Sequence, residues 1–166
     1  MTHKPQPLPT TAPRGADISP PSSIPWPPLL LMFALVAGLV LSNLYPIGLR
    51  TTSQALGFSL IALAIIVDIW VFVIFKKHQT AIRPDRSASS LVTTGPFRWS
   101  RNPIYLGNLL ILLGVGIAMG SFWFVPMALV FFVLVQHLSI LPEEAHMAAR
   151  FSEAWEAYQA QTRRWI

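Results

Sequence analysis

Four apolar runs constrain this chain more than any other feature. They read "PLLLMFALVAGLVLSNL" over 28–44, "ALGFSLIALAIIVDIWVFVIF" over 55–75, "IYLGNLLILLGVGIAMG" over 104–120 and "FWFVPMALVFFVLVQHLSIL" over 122–141. At 1.5 Å rise per residue, about 20 residues cross a hydrocarbon core of roughly 30 Å. The second and fourth runs are long enough by themselves; the first and third borrow flanking residues. Lipid offers no partner to a bare N–H or C=O, so each run is expected to be a helix. "GSF" at 120–122 predicts a tight turn that makes the last two spans a hairpin. The expected class is an all-α integral-membrane bundle of about four transmembrane helices. Composition agrees: 11% of the residues are charged, against about 25% in soluble domains. No cysteine is present, which excludes disulfide and thiolate chemistry.

Residues 1–26 are rich in Pro, Ser and Thr, have no apolar period and are expected to be a disordered tail. The remainder, 27–166, reads as one membrane domain. The first 23 residues hold only Lys4 and Arg14 and no basic cluster abuts the first run, so no cleaved leader is expected. Basic residues near span ends set orientation. Lys76, Lys77, Arg83, Arg86, Arg98 and Arg101 lie between the second and third runs, Arg150, Arg163 and Arg164 near the C-terminus, and only Arg50 on the opposite side. Both termini are therefore expected in the cytoplasm and the protein in the inner membrane. The last segment, "LPEEAHMAARFSEAWEAYQAQTRRWI", is helical in period, with Pro142 at a first helical position. Met147, Phe151, Ala154, Trp155 and Tyr158 share one stripe. Trp155 and Tyr158 suit a headgroup boundary, and the helix is expected to lie along the cytoplasmic face.

Polar groups at or inside a membrane are functional candidates. Arg101, Asn102 and Tyr105 stand where the third run enters lipid, behind Pro103 and ahead of Gly107. Arg and Tyr serve equally as interface anchors, but that does not account for Asn102, nor for Gly107, which admits a close neighbour. Glu143 and Glu144 follow the fourth run; acids favour a first helical turn, or the pair holds a cationic ligand opposite Arg101. Gly95-Pro96 marks a turn in "LVTTGPFRWS". Gln136 and His137 end the fourth span, His137 as a base or as an interfacial residue. Asp68 lies inside the second run, and must be protonated, paired or facing a cavity.

Taken together, "LVTTGPFRWSRNPIYLG", the following hairpin and "EEAHMAARFSEAWEAYQAQTRRWI" resemble the membrane methyltransferases typified by isoprenylcysteine carboxyl methyltransferase and the phospholipid N-methyltransferases. The first is similar to the family's Leu-x-x-x-Gly-Pro-Tyr-x-x-x-Arg-His/Asn-Pro-x-Tyr-x-Gly. The last is similar to its Glu-Glu-x-x-Leu-x-x-x-Phe-Gly-x-x-Tyr-x-x-Tyr with a basic, Trp-ending tail. The likeness covers 91–166. Asn102 follows the phospholipid branch, where carboxyl methyltransferases usually have His. Met147, Ser152 and Trp155 replace the family's Leu, Gly and Tyr.

The resemblance implies S-adenosylmethionine as cofactor, with no metal, and a lipophilic small-molecule or lipid acceptor taken from the membrane rather than nucleic acid. It implies that Gly95, Pro96 and Phe97 line the cofactor side, that Asn102, Pro103 and Tyr105 shape its pocket, and that Glu143 and Glu144 meet ribose hydroxyls or an ammonium. A carboxylate acceptor needs only an orienting cation, for which Arg101 is suited. An amine or phenol needs a base, for which Glu144 or His137 is suited. The competing expectation is a non-enzymatic scaffold or small transporter subunit on the same fold. Neither the acceptor nor the oligomeric state can be read from the sequence.

Overall fold

The computed structural model describes residues 26–49, 53–77 and 91–166. Within them the chain is an all-helical membrane bundle, with α1 at Trp26–Leu44, α2 at Gln54–Lys77, α3 at Pro103–Met119, α4 at Phe124–Val135 and α5 at Leu141–Gln161. Strand pairing among the described residues is confined to one isolated bridge, Gly48 with Ser121. α1, α2 and the continuous run from Phe124 are long and apolar enough to cross a membrane, and α3 is a shorter apolar helix. Residues 1–25 of the expected tail, 1–26, lie outside the described residues, as does Arg50; α1 begins at Trp26, one residue inside the stretch assigned to the tail.

Small residues let the helices approach. A Cβ at Gly57 would sit 2.6 Å from the Gly114 carbonyl oxygen and from Ala118, and a Cβ at Gly114 would sit 2.8 Å from the Gly57 oxygen. α2 and α3 therefore touch backbone to backbone, the packing that substitutes for a hydrophobic driving force in lipid. Phe124 fills the notches over Gly38 and Gly116, which brings α1, α3 and α4 together. The outward faces of α1 and α2 carry exposed Met32, Phe33, Val36, Phe58, Ile66 and Phe72, as lipid contact requires.

The hairpin turn forms as expected. Gly120 takes a left-handed φ of 66° and its N–H closes on Gly116 and Ile117, a conformation cheap only for glycine. The end of α4 departs from expectation. Pro142 does not start a new helix. α4 passes through a π turn, Gln136–Ile140, directly into α5, with the Leu141 N–H bonded to the Gln136 oxygen. Pro142 cannot donate to the carbonyl one turn back and its ring crowds it; a wider turn accommodates both effects.

The amphipathic stripe of α5 is where the sequence places it, but it meets protein rather than headgroups. Phe151, Trp155 and Tyr158 are buried with Val71, Leu91, Val92 and Phe97, and Met147 and Ala154 pack on the same cluster. An indole and a phenol suit a wet boundary or a satisfied core equally. Here the Tyr158 hydroxyl donates to the Phe97 carbonyl at 2.7 Å.

Candidate functional site

Three stretches far apart in sequence meet at one end of the bundle. The first is 91–102. Gly95 opens a 3-10 turn, Gly95–Arg98, with φ 64°; a side chain there would collide with Ile74 and approach Trp70 at 3.3 Å. Pro96 and Phe97 are buried on it, and Phe97 stacks on Phe75 with centroids 5.3 Å apart. The turn is thus pinned by α2 on one side and by Tyr158 on the other. Pro103 then starts α3.

The second stretch is the start of α5. The Glu144 carboxylate is buried and lies 3.2 Å from Arg101 Nη2. Glu143 accepts a 2.6 Å hydrogen bond from the Tyr105 hydroxyl. Because helix runs unbroken from Phe124, neither acid faces the bare N–H groups of a helix start, so the first-turn preference does not explain them. Burial raises Glu143, two residues beyond the fourth apolar run, from 4.5 to about 7, while the Tyr105 bond partly opposes this and Glu144 adds repulsion.

The third stretch is the C-terminus. After Thr162 the chain turns back over the site. Arg164 donates to both oxygens of Glu144, Nε at 3.1 Å to each and Nη2 at 2.7 Å to Oε2. Its pairing with Glu144 raises the pKa of its guanidinium. The Arg164 carbonyl accepts from Asn102 Nδ2 at 2.9 Å and from the Ser100 hydroxyl at 3.3 Å. The Arg101 N–H donates to the Arg163 carbonyl at 3.0 Å. Trp165 donates to Gln136 at 3.1 Å and packs at a tilt against Phe132, centroids 4.7 Å apart.

Arg101 is the hub. Its guanidinium carbon lies 5.7 Å from the centroid of the Trp155 ring. With the Gln159 amide oriented so that its oxygen faces the donors, it accepts from Arg101 Nη1 at 2.9 Å and from Trp155 Nε1 at 3.1 Å. Arg101 Nε is buried and has no acceptor among the described residues.

Of the residues expected from sequence, Arg101, Asn102, Tyr105, Glu143 and Glu144 come together, and Gly95, Pro96 and Phe97 form the adjoining wall. His137 is exposed on the π turn and takes no part in these hydrogen bonds. Asp68 explains Gly107 instead: a Cβ at Gly107 would lie 2.9 Å from Asp68 Oδ1, an oxygen that is buried and unpartnered. Sequence reasoning missed Arg164, Trp165 and Gln159. The signals for Arg164 were its charge, which counted toward orientation, and its place in the family's basic, Trp-ending tail.

No curated protein and no solved structure matches the chain. A family description does: Phospholipid methyltransferase, over residues 52–154, a stretch that takes in α2, the turn, α3, α4 and the first part of α5. A match over more than half the sequence, on apolar helices able to span a bilayer, means that this integral membrane protein belongs to the phospholipid methyltransferase family.

Proposed function

We propose that the protein transfers a methyl group from S-adenosylmethionine to a lipophilic acceptor at the cytoplasmic face of the inner membrane. The observation that carries this reading is the convergence of Arg101, Asn102, Tyr105, Glu143 and Glu144 at one end of a family-matched membrane bundle. The donor set fits the cofactor. An amino-acid carboxylate suits the buried Arg101 Nε that lacks an acceptor. The wall of Gly95, Pro96 and Phe97 offers an apolar face to an adenine, and Asn102 and Pro103 set its edge. When bound, the cofactor supplies a methyl group already activated on a sulfonium.

The protein's own work is then alignment, exclusion of water and proton handling. The buried aromatic cluster of Phe97, Trp155 and Tyr158 keeps water from the cytoplasmic side. The Trp155 face stabilises positive charge beside it. Glu144, gripped by two guanidiniums, serves to hold Arg101. Glu143, near 7 and fixed by Tyr105, is the carboxylate suited to take a proton from an amine or hydroxyl acceptor. His137, on the exposed turn, is the outer alternative.

The test uses purified protein in detergent, methyl-labelled S-adenosylmethionine and a total membrane-lipid extract. Label should enter the lipid fraction and calorimetry should show cofactor binding. Folded protein that binds no cofactor at millimolar concentration and labels no lipid would leave the scaffold reading in its place.

A further inference from the structure

Among the described residues, the polar cluster is short of one anion. Two guanidiniums, Arg101 and Arg164, share the single buried carboxylate of Glu144. Arg164 takes both of its oxygens in a fork, with four atoms of the two groups within 3.1 Å. Arg101 reaches only one oxygen, at the longer distance of 3.2 Å. The other described carboxylate nearby, Glu143, is turned to Tyr105 rather than to Arg101, and burial raises its pKa. Among the described residues a positive charge is left over, and it lies on Arg101, whose buried Nε has no acceptor there. Burying a charged donor without a partner is costly unless something arrives to meet it.

Arg164 creates this surplus. Were it absent, Glu144 would pair with Arg101 alone, the pair would be neutral, and Arg101 would have less to offer a ligand. The tail that carries Arg164 is built into the site: its carbonyls accept from Arg101, Asn102 and Ser100, and Trp165 anchors it on Gln136 and Phe132.

We propose that Arg164 is a positioning residue: by engaging Glu144 it frees Arg101 to bind an anionic oxygen group, carboxylate or phosphate, of the bound ligand. The proposal rests on the methyl-transfer reading for its ligand but not for its logic. Two sources share the chemistry, the amino-acid carboxylate of the cofactor and the phosphate of a membrane lipid.

The experiment is calorimetry on the full-length protein in detergent with three probes: S-adenosylmethionine, its decarboxylated analogue, and a short-chain phosphatidylglycerol. If the cofactor carboxylate is the anion, wild type binds S-adenosylmethionine roughly tenfold or more tighter than the decarboxylated analogue, as expected for a lost charge-assisted hydrogen bond. Arg164→Gln should then weaken the first and leave the second unchanged. If the lipid phosphate is the anion, Arg164→Gln should weaken the phospholipid alone. Arg164→Lys, which keeps the charge but not the fork, should fall between. The decisive variant is the double one. Glu144→Gln in the Arg164→Gln background removes the competing carboxylate, so it should restore anion affinity toward wild type. A merely structural role for Arg164 predicts further loss instead. Equal binding of S-adenosylmethionine by wild type and Arg164→Gln, with phospholipid binding also unchanged, overturns this proposal and leaves the methyltransferase standing. Binding of neither probe by folded wild type overturns both.

Discussion

Ser152 has φ 42° and ψ −115° inside α5, a region that costs a residue with a Cβ about 1–3 kcal/mol. The family pattern has Gly at this point, so the departure visible in sequence has a physical meaning. The kink re-aims α5 between Phe151 and Trp155, both buried in the same cluster. Ser152→Gly should therefore raise the melting temperature, by about 1 kcal/mol in stability, and Ser152→Val should lower it. A Ser152→Gly protein no more stable than wild type would show that no strain is stored there. Glu143 gives a second expectation. Its folded value near 7 lies above the ordinary 4.5, so between those pH values the folded protein holds a proton that the unfolded chain has released. The stability it contributes is full below about pH 4.5 and lost as pH rises through about 7. Melting in detergent should fall across that window, and Glu143→Gln should flatten the fall. If Glu143 is the base, methyl transfer should rise over the same window in wild type only. At this scale the sequence was legible where a residue type is unusual for its surroundings: Asn102, Gly107 and the acid pair all sit in contacts that need them. It was faint for Arg164, marked only as part of a basic, Trp-ending tail, and absent for Gln159, because surface-type residues near a terminus carry no mark of what folds over them.

Among the elements, the α2–α3 seam distinguishes two kinds of close approach. Gly57 and Gly114 face backbone, which cannot yield. Gly107 faces the carboxylate of Asp68, the end of a side chain that can. Gly57→Ala should thus cost more than Gly107→Ala, on the order of 1–3 kcal/mol or more for forced overpacking. Asp68→Ala should remove most of the Gly107→Ala penalty and none of the Gly57→Ala penalty. Melting of the three single and two double variants measures this directly; equal penalties unaffected by Asp68→Ala would mean that the helices part along their whole length. The 3.6-residue period revealed the stripe on α5 but not its cover, since Leu91, Val92 and Phe97 come from a stretch some 50 residues away. The continuity of α4 with α5 escaped for a related reason. Proline suits a helix start and a π turn alike, and only the packing on both sides decides between them.

Over the whole molecule, the two ends of the bundle differ in kind. One end carries the guanidinium–carboxylate cluster and the folded-back tail. The other is uncharged among its described contacts: Ser42 meets Ser121, and Trp123 Nε1 donates to the Tyr45 carbonyl. The Leu49 N–H and Ile47 carbonyl bond to the 120–122 turn. Arginines near the membrane favour the cytoplasmic side, so the cluster end should face the cytoplasm and the Gly48 loop the opposite compartment. The absence of cysteine makes the test clean. Gly48 is exposed and a Cβ there would lie no closer than 3.8 Å to the Gly120 oxygen, so Gly48→Cys should fold. The Arg163 side chain is exposed and only its carbonyl is used, so Arg163→Cys should spare the tail's hydrogen bonds. A membrane-impermeant maleimide should label Gly48→Cys from the outer side of the membrane and Arg163→Cys only after permeabilisation. The reverse pattern would place the cluster on the side that lacks a cytosolic supply of methyl donor, and with it the proposed reaction would fail whatever the residues themselves can bind.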